Sequence, residues 1–196
     1  MKEFLAELRG AIFSTLILAV VCCGIYPLIV FGIGQALFAG KANGSLIVDA
    51  KGTVVGSKLI GQNFSADKYF HPRPSAAGNG YDSTSSGGSN LGPTSQKLAD
   101  TIKQNVADYR AQNSQSLEAN APVPADAVTA SASGLDPHIS VENAQIQALR
   151  VAKARGLKVE DVAALIAQYT DPADLGFLGD PGVNVLRLNL ALDGLK

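Results

Sequence analysis

Between residues 10 and 40 of this chain no side chain carries a charge, over 31 consecutive positions. Most residues from 11 to 38 are Leu, Ile, Val, Ala, Phe or Cys. A hydrocarbon slab of ~30 Å is crossed by about 20 helical residues at ~1.5 Å each, so this run suffices with a turn or two to spare. In lipid a helix satisfies its own backbone groups, which irregular chain does not. Pro27 removes one helical hydrogen bond and predicts a kink near the middle. The rival reading is a cleaved signal peptide, whose apolar stretch is only roughly 7–15 residues. Gly40, Lys41 and Ala42 offer an A-x-A-like cleavage pattern, but the uncleaved span is the preferred reading. The expected layout is a short tail over residues 1–10, a transmembrane helix over 11–38 and a soluble domain over 39–196.

Orientation is read from the flanking cations. Lys2 and Arg9 precede the span, whereas Lys41 and Lys51 follow it, so the bias across it is slight. Arg9 abuts the span and favours a cytoplasmic N-terminus with an extracytoplasmic domain. A net charge of −1 and the lack of any basic tract argue against nucleic acid as a partner. The only cysteines, Cys22 and Cys23, are adjacent within the span, so the soluble part has no disulfide framework.

Beyond the span the pattern is mixed, and the fold class expected is α+β. Residues 46–48 and 53–55 read as a short hairpin across Asp49, Ala50, Lys51 and Gly52. Residues 57–64 form another extended candidate. From 71 to 95, 18 of 25 residues are Gly, Pro, Ser, Thr or Asn, which makes a long Gly/Ser/Pro-rich loop. Tyr69, Phe70 and Tyr81 punctuate it and favour partial docking over a free linker. Thr94 is placed to cap a helix carrying Leu98, Ile102, Val106 and Tyr109. Ser140 caps a second helix that runs to Arg155 and stops at Gly156, with Ala144, Ala148 and Val151 on one face. A third carries Val159, Val162, Ala163, Ile166 and Tyr169. Leu186, Leu188, Leu190 and Leu192 alternate with polar or small residues, which predicts a terminal strand.

No catalytic constellation stands out. Residues 52–58 (GTVVGSK) are close to a phosphate-binding loop, but only three residues separate the glycines and Ser precedes Lys, so a hairpin turn is expected. Ser65 and Lys68 match the S-x-x-K of penicillin-binding enzymes without its companion motifs. His71 and His138 each adjoin a proline and lack a Cys/His cluster, so no metal site is expected.

Several longer stretches resemble one family in order along the chain. They are residues 56–62 (GSKLIGQ), 69–77 (YFHPRPSAA), 86–93 (SGGSNLGP), 131–140 (SASGLDPHIS) and 183–189 (VNVLRLN). Together they resemble the C subunit of the Kdp-type potassium-transporting ATPase. The resemblance implies a four-subunit complex: a channel-like potassium-binding subunit, a P-type ATPase subunit, a small peptide subunit, and this type with one span and an external domain. It implies a non-catalytic assembly or activating role in high-affinity, ATP-driven potassium import, in the cell (inner) membrane. One span cannot enclose an ion path, and the chain lacks the Asp-Lys-Thr-Gly-Thr phosphorylation motif of P-type pumps.

The resemblance further implies a nucleotide-related glutamine, which maps to Gln147 on the second helix; Gln145 is its neighbour. A glutamine amide has no charge to match phosphates. ATP is cytosolic and an external domain does not touch it, so either the nucleotide role is indirect or the topology differs from the one the resemblance implies. No tightly bound cofactor is expected, and ATP is reached through the complex. Candidates for partner contact are Tyr69, Phe70, Arg73, Tyr81 and Asn90, with aromatics favoured because they supply much of interface energy. Two other classes are weighed against this one: a tethered external enzyme using Ser65 and Lys68, and a module that binds a small solute in the 71–95 loop.

Overall fold

The computed structural model describes residues 1–194, which divide into two compact units, Met1–Leu46 and Ile47–Lys196. The first unit is helical: α1 (Lys2–Ala19), a π-helical stretch (Val20–Ile25) and α2 (Tyr26–Ala42). One continuous run of it, Glu3–Ala42, is long and apolar enough to cross a membrane. Its large side chains are exposed, Leu28 at 71% and Leu37 at 70%. Such a surface suits lipid and not water. The interruption expected at Pro27 takes the form of the π stretch just before it, where the Tyr26 N–H reaches back to the Val21 carbonyl. Proline supplies no N–H to the preceding turn, and a wider turn absorbs the mismatch. A second break falls at Phe38 (φ −135°, ψ 34°). Beyond it Asn43 donates to the Ala39 carbonyl and exchanges amide hydrogen bonds with Gln35.

β1 (Leu46–Val48) and β2 (Val54–Ser57) pair as the expected hairpin, although β2 begins and ends later than the pattern suggested. Asp49 makes the turn by accepting the Lys51 and Thr53 N–H groups on its carboxylate. The extended segment expected over 57–64 is not formed past Ser57, where the chain turns.

The second unit continues with α3 (Gln96–Gln112), α4 (Ala125–Val128), β3 (His138–Ser140), α5 (Val141–Arg155), α6 (Val159–Gln168), β4 (Thr170–Asp171), β5 (Gly182–Asn184) and α7 (Val185–Asp193). Ser95, and not Thr94, caps α3 by accepting the Leu98 N–H. α5 follows its sequence signals: Ser140 accepts from the Asn143 N–H, and Gly156 ends the helix at φ 70°. That left-handed conformation suits glycine because it has no Cβ.

The terminal strand is a correction. Residues 185–193 form α7; of its buried residues Val185, Leu186, Leu188, Asn189 and Leu192, the set 185, 188, 189 and 192 recurs at helical spacing. The alternating leucines mimicked a two-residue period because polar Asn189 occupies a core-facing position.

β5 is the centre of a three-stranded antiparallel sheet, with Ile139 opposite Val183 on one side and Thr170 opposite Val183 on the other. Phe70, Ile139, Val151, Val162, Val183, Leu188 and Leu192 form the main core. A smaller cluster gathers Tyr109, Leu117 and Val128. This is the α+β domain expected from the mixed periodicities.

Candidate functional site

Phe70 is fully buried among α5, α6 and α7 residues, which carries the main-chain groups of Phe70 and the half-buried His71 into the domain while residues 66–68 stay exposed. Buried main-chain groups must find partners, and here side chains supply them. The Asn189 amide accepts the Phe70 N–H (2.8 Å) and donates to the Phe70 carbonyl (3.0 Å). The Gln147 amide does the same for His71, at 2.7 and 3.1 Å. Two adjacent residues are thus clamped, one by α7 and one by α5, as a strand would be by neighbouring strands. Arg150 donates to the Asp67 and Tyr69 carbonyls, and Arg155 to the Lys68 carbonyl.

The clamp continues along α5. Asn143, Gln147 and Arg150 are spaced i, i+4 and i+7, so they share one face. Gln147 donates to Asn143 Oδ1 (2.8 Å), which also accepts the Tyr109 hydroxyl (2.8 Å). Arg150 donates to Gln147 Oε1 (2.7 Å). Asn143 is positioned in turn by Asp126, which also receives the N–H and hydroxyl of Ser140. Gln147 is only 1% exposed, and every polar atom of its amide has a protein partner.

Beside this ladder lies a cleft of about 310 Å³, lined by His71, Arg73, Tyr81, Tyr109, Asn143 and Gln147 among others. Its lining is rich in amides and aromatic faces, with Arg73 and Asp108 bringing opposite charges. Burial, followed by the positive charge of Arg150, pushes His71 below the usual histidine range, so its ring is neutral near pH 7. Arg73 pairs with Asp136 (2.9 Å), yet its buried Nε has no partner among the described residues.

The 71–95 loop is folded onto residues 131–136. Ser75 donates to the Gly134 carbonyl and receives the Tyr81 N–H, while the Gly87 N–H bonds the Ser133 carbonyl. The Tyr81 hydroxyl donates to the Arg73 carbonyl. Gly134 sits at φ 67°, where an added Cβ would come within 2.7 Å of both Ala77 N and Gly87 O. Only glycine permits that approach.

A chain of alternating charges runs from the loop to α7: Arg73, Asp136, His138, Asp171 and Arg187. Two carboxylates hold His138 above its ordinary value: Asp136, 3.8 Å from Nδ1, and Asp171, 3.0 Å from Nε2 and the shorter contact. For Asp136, burial works upward, but hydrogen bonds from His138 and Arg73 overcome it and hold the carboxyl low.

The residues singled out from sequence therefore separate. Gln147, Arg73 and Tyr81 share the cleft. Phe70 fills the core. Tyr69 is half-buried: its hydroxyl donates to Asp193, and Arg155 and Lys68 lie over its ring. Asn90 is exposed, at φ 52°. Lys68 Nζ stands 5.0 Å from the Tyr69 ring centre, and among the described residues no hydrogen bond joins it to Ser65. No group of three His, Cys, Asp or Glu side chains is placed to hold a metal among the described residues. Asn189, Asn143 and Arg150 were missed from sequence. The polar i, i+4, i+7 stripe on α5 is the one visible signal for Asn143 and Arg150; Asn189 lies on α7, outside it.

These features define a class: a chain with an apolar N-terminal helix long enough to cross a membrane, followed by an α+β domain folded around an amide-clamped loop. The sequence pattern of the family described as K+-transporting ATPase, c chain, matches residues 8–194. A potassium-transporting ATPase KdpC subunit of Mycobacterium bovis is 53% identical over 96% of this chain and 98% of its own. Proteins of the same name from Nitratidesulfovibrio vulgaris and Myxococcus xanthus are 53% and 52% identical, over 97% and 98% of this chain and 95% and 88% of theirs. The chain belongs to the KdpC family, the c chain of K+-transporting ATPases.

Proposed function

We propose that this chain is the assembly and activating subunit of an ATP-driven potassium importer, acting by docking and not by chemistry. The observation that carries the reading is family membership across nearly the whole length. The N-terminal helix anchors the chain in the cell membrane, with a cytoplasmic tail and an external domain. Its partners are a channel-like potassium-binding subunit, a P-type ATPase subunit and a small peptide subunit, with lipid around the helix. The domain supports ATP hydrolysis by the pump subunit without holding nucleotide or any tight cofactor. Gln147 serves that role indirectly, because its amide is committed to the backbone of His71.

Two measurements test this. Omitting the chain from a co-expressed complex abolishes potassium-dependent ATP hydrolysis or disperses the other subunits; an active complex without it refutes the reading. Ser114→Cys, at an exposed position, in a background lacking Cys22 and Cys23, reacts with an impermeant thiol reagent in intact cells. Protection until the cells are opened refutes the external placement and puts the domain on the side where ATP is found.

A second reading is favoured by one observation, the unpartnered buried Nε of Arg73 beside the cleft. In it the cleft captures a small carboxylate or similar acceptor. A rise in Tm with millimolar acetate or succinate, lost in Arg73→Gln, supports it.

A further inference from the structure

The turn between β4 and β5 holds three large apolar side chains out of the fold. Leu175 is 83% exposed, Phe177 75% and Leu178 52%. The backbone that presents them is tied down. Asp174 and Leu178 exchange N–H to carbonyl bonds of 2.9 Å in both directions, and Gly176 and Phe177 donate back to Ala173 and Asp174. Leu175 is held at φ 55°, a left-handed conformation that a branched side chain adopts only at a cost. A fixed turn that displays a phenylalanine and two leucines has the features of an interface anchor, where buried aromatic and aliphatic groups carry most of the binding energy.

Charge selects what covers it. Residues 172–186 carry two carboxylates, Asp174 and Asp180, and neither Lys nor Arg. Both flank the tip and are exposed, whereas Asp171 before them is paired with His138 and Arg187. Anionic lipid headgroups repel such a turn, and it offers no cation to bind their phosphates. A second copy related by a two-fold axis would set these carboxylates against their own equivalents. A protein pocket with an apolar floor and a basic rim fits both the side chains and the charge.

We propose that Phe177, with Leu175 and Leu178, plugs into an apolar pocket rimmed by Lys or Arg on another subunit of the transport complex. The inference rests on the assembly role proposed above and names the surface that performs it.

The test uses the whole complex in native membranes. A photo-crosslinking phenylalanine analogue at position 177 joins the chain to one other subunit, at a peptide bearing Lys or Arg beside apolar residues. Phe177→Asp lowers retention of the chain in the solubilised complex by roughly tenfold or more, and Phe177→Ala does so in part. Both leave the thermal unfolding of the full chain unchanged, because the ring touches solvent. Crosslinks to lipid or to a second copy, or full retention of the Phe177→Asp chain, overturn the proposal. If the Phe177→Asp complex holds together while omission of the chain disperses it, only the plug fails. If omission has no effect, the assembly role itself fails.

Discussion

Replacing Gln147 by alanine separates a structural amide from a nucleotide contact. The substitution leaves the N–H and carbonyl of His71 without partners and takes one acceptor from Arg150. Asn143 Oδ1 keeps the Tyr109 hydroxyl. An unsatisfied main-chain group in a largely buried site costs about 1–2 kcal/mol, so two such groups give about 3 kcal/mol. For a domain of this size 1 kcal/mol corresponds to ~2–4 °C, which places the Tm of the variant about 6–12 °C below that of the parent. The assay is thermal unfolding of the full chain in detergent, followed by near-ultraviolet circular dichroism of its tyrosines. Gln145→Ala, two residues away and exposed, serves as the control and shifts the Tm by less than about 1–2 °C. Gln147→Glu distinguishes the two halves of the clamp. Its carboxylate still accepts from His71 and Arg150, but it faces the His71 carbonyl and Asn143 Oδ1 without a proton to donate. A Gln147→Ala chain that unfolds with its parent, while ATP hydrolysis by the complex collapses, refutes the structural reasoning.

Gly134→Ala forces a Cβ to within 2.7 Å of backbone atoms at a left-handed position; a loss of about 3 kcal/mol and faster proteolysis of the 71–95 loop are expected. Gly156→Ala has the same backbone sign but no atom within 4 Å, so its cost stays near ~1 kcal/mol in denaturant titration. His138 is held above the ordinary ~6.5 of histidine, so its contribution to stability is complete below about pH 6.5 and fades as pH rises through the raised value. Tm measured between pH 5 and 9 falls along that limb, and His138→Asn removes the slope. Asp136 acts in the opposite sense: its carboxyl is held low, so its contribution is present above about pH 4 and is lost in acid.

Local signals read well where one element declares its own ends. α5 carries a capping serine, an apolar stripe and a glycine stop, and it forms from Val141 to Arg155. α7 lacked such clarity, since leucines at 186, 188, 190 and 192 satisfy a strand while its true stripe includes an asparagine. That asparagine faces the core because it serves the backbone of Phe70, 119 residues away in sequence. No window of a dozen residues contains both partners. Strands of two or three residues, such as β4 and β5, are too short to show a period. At the candidate site the family resemblance singled out Gln147. Its burial and its bond to His71 came from tertiary contact alone. Arg73 and Tyr81 entered as surface candidates and meet it across one cleft.

The paired amides at residues 70 and 71 make this point of the chain sensitive to odd and even changes in length. Main-chain groups in extended chain face alternate sides with every residue. One inserted residue ahead of Phe70 swaps which helix each peptide addresses, exchanging both sets of partners in a single step. Two inserted residues restore the facing but carry the ring past its socket. Natural length variation among relatives is therefore expected to bypass this stretch and to collect downstream, where turns face solvent.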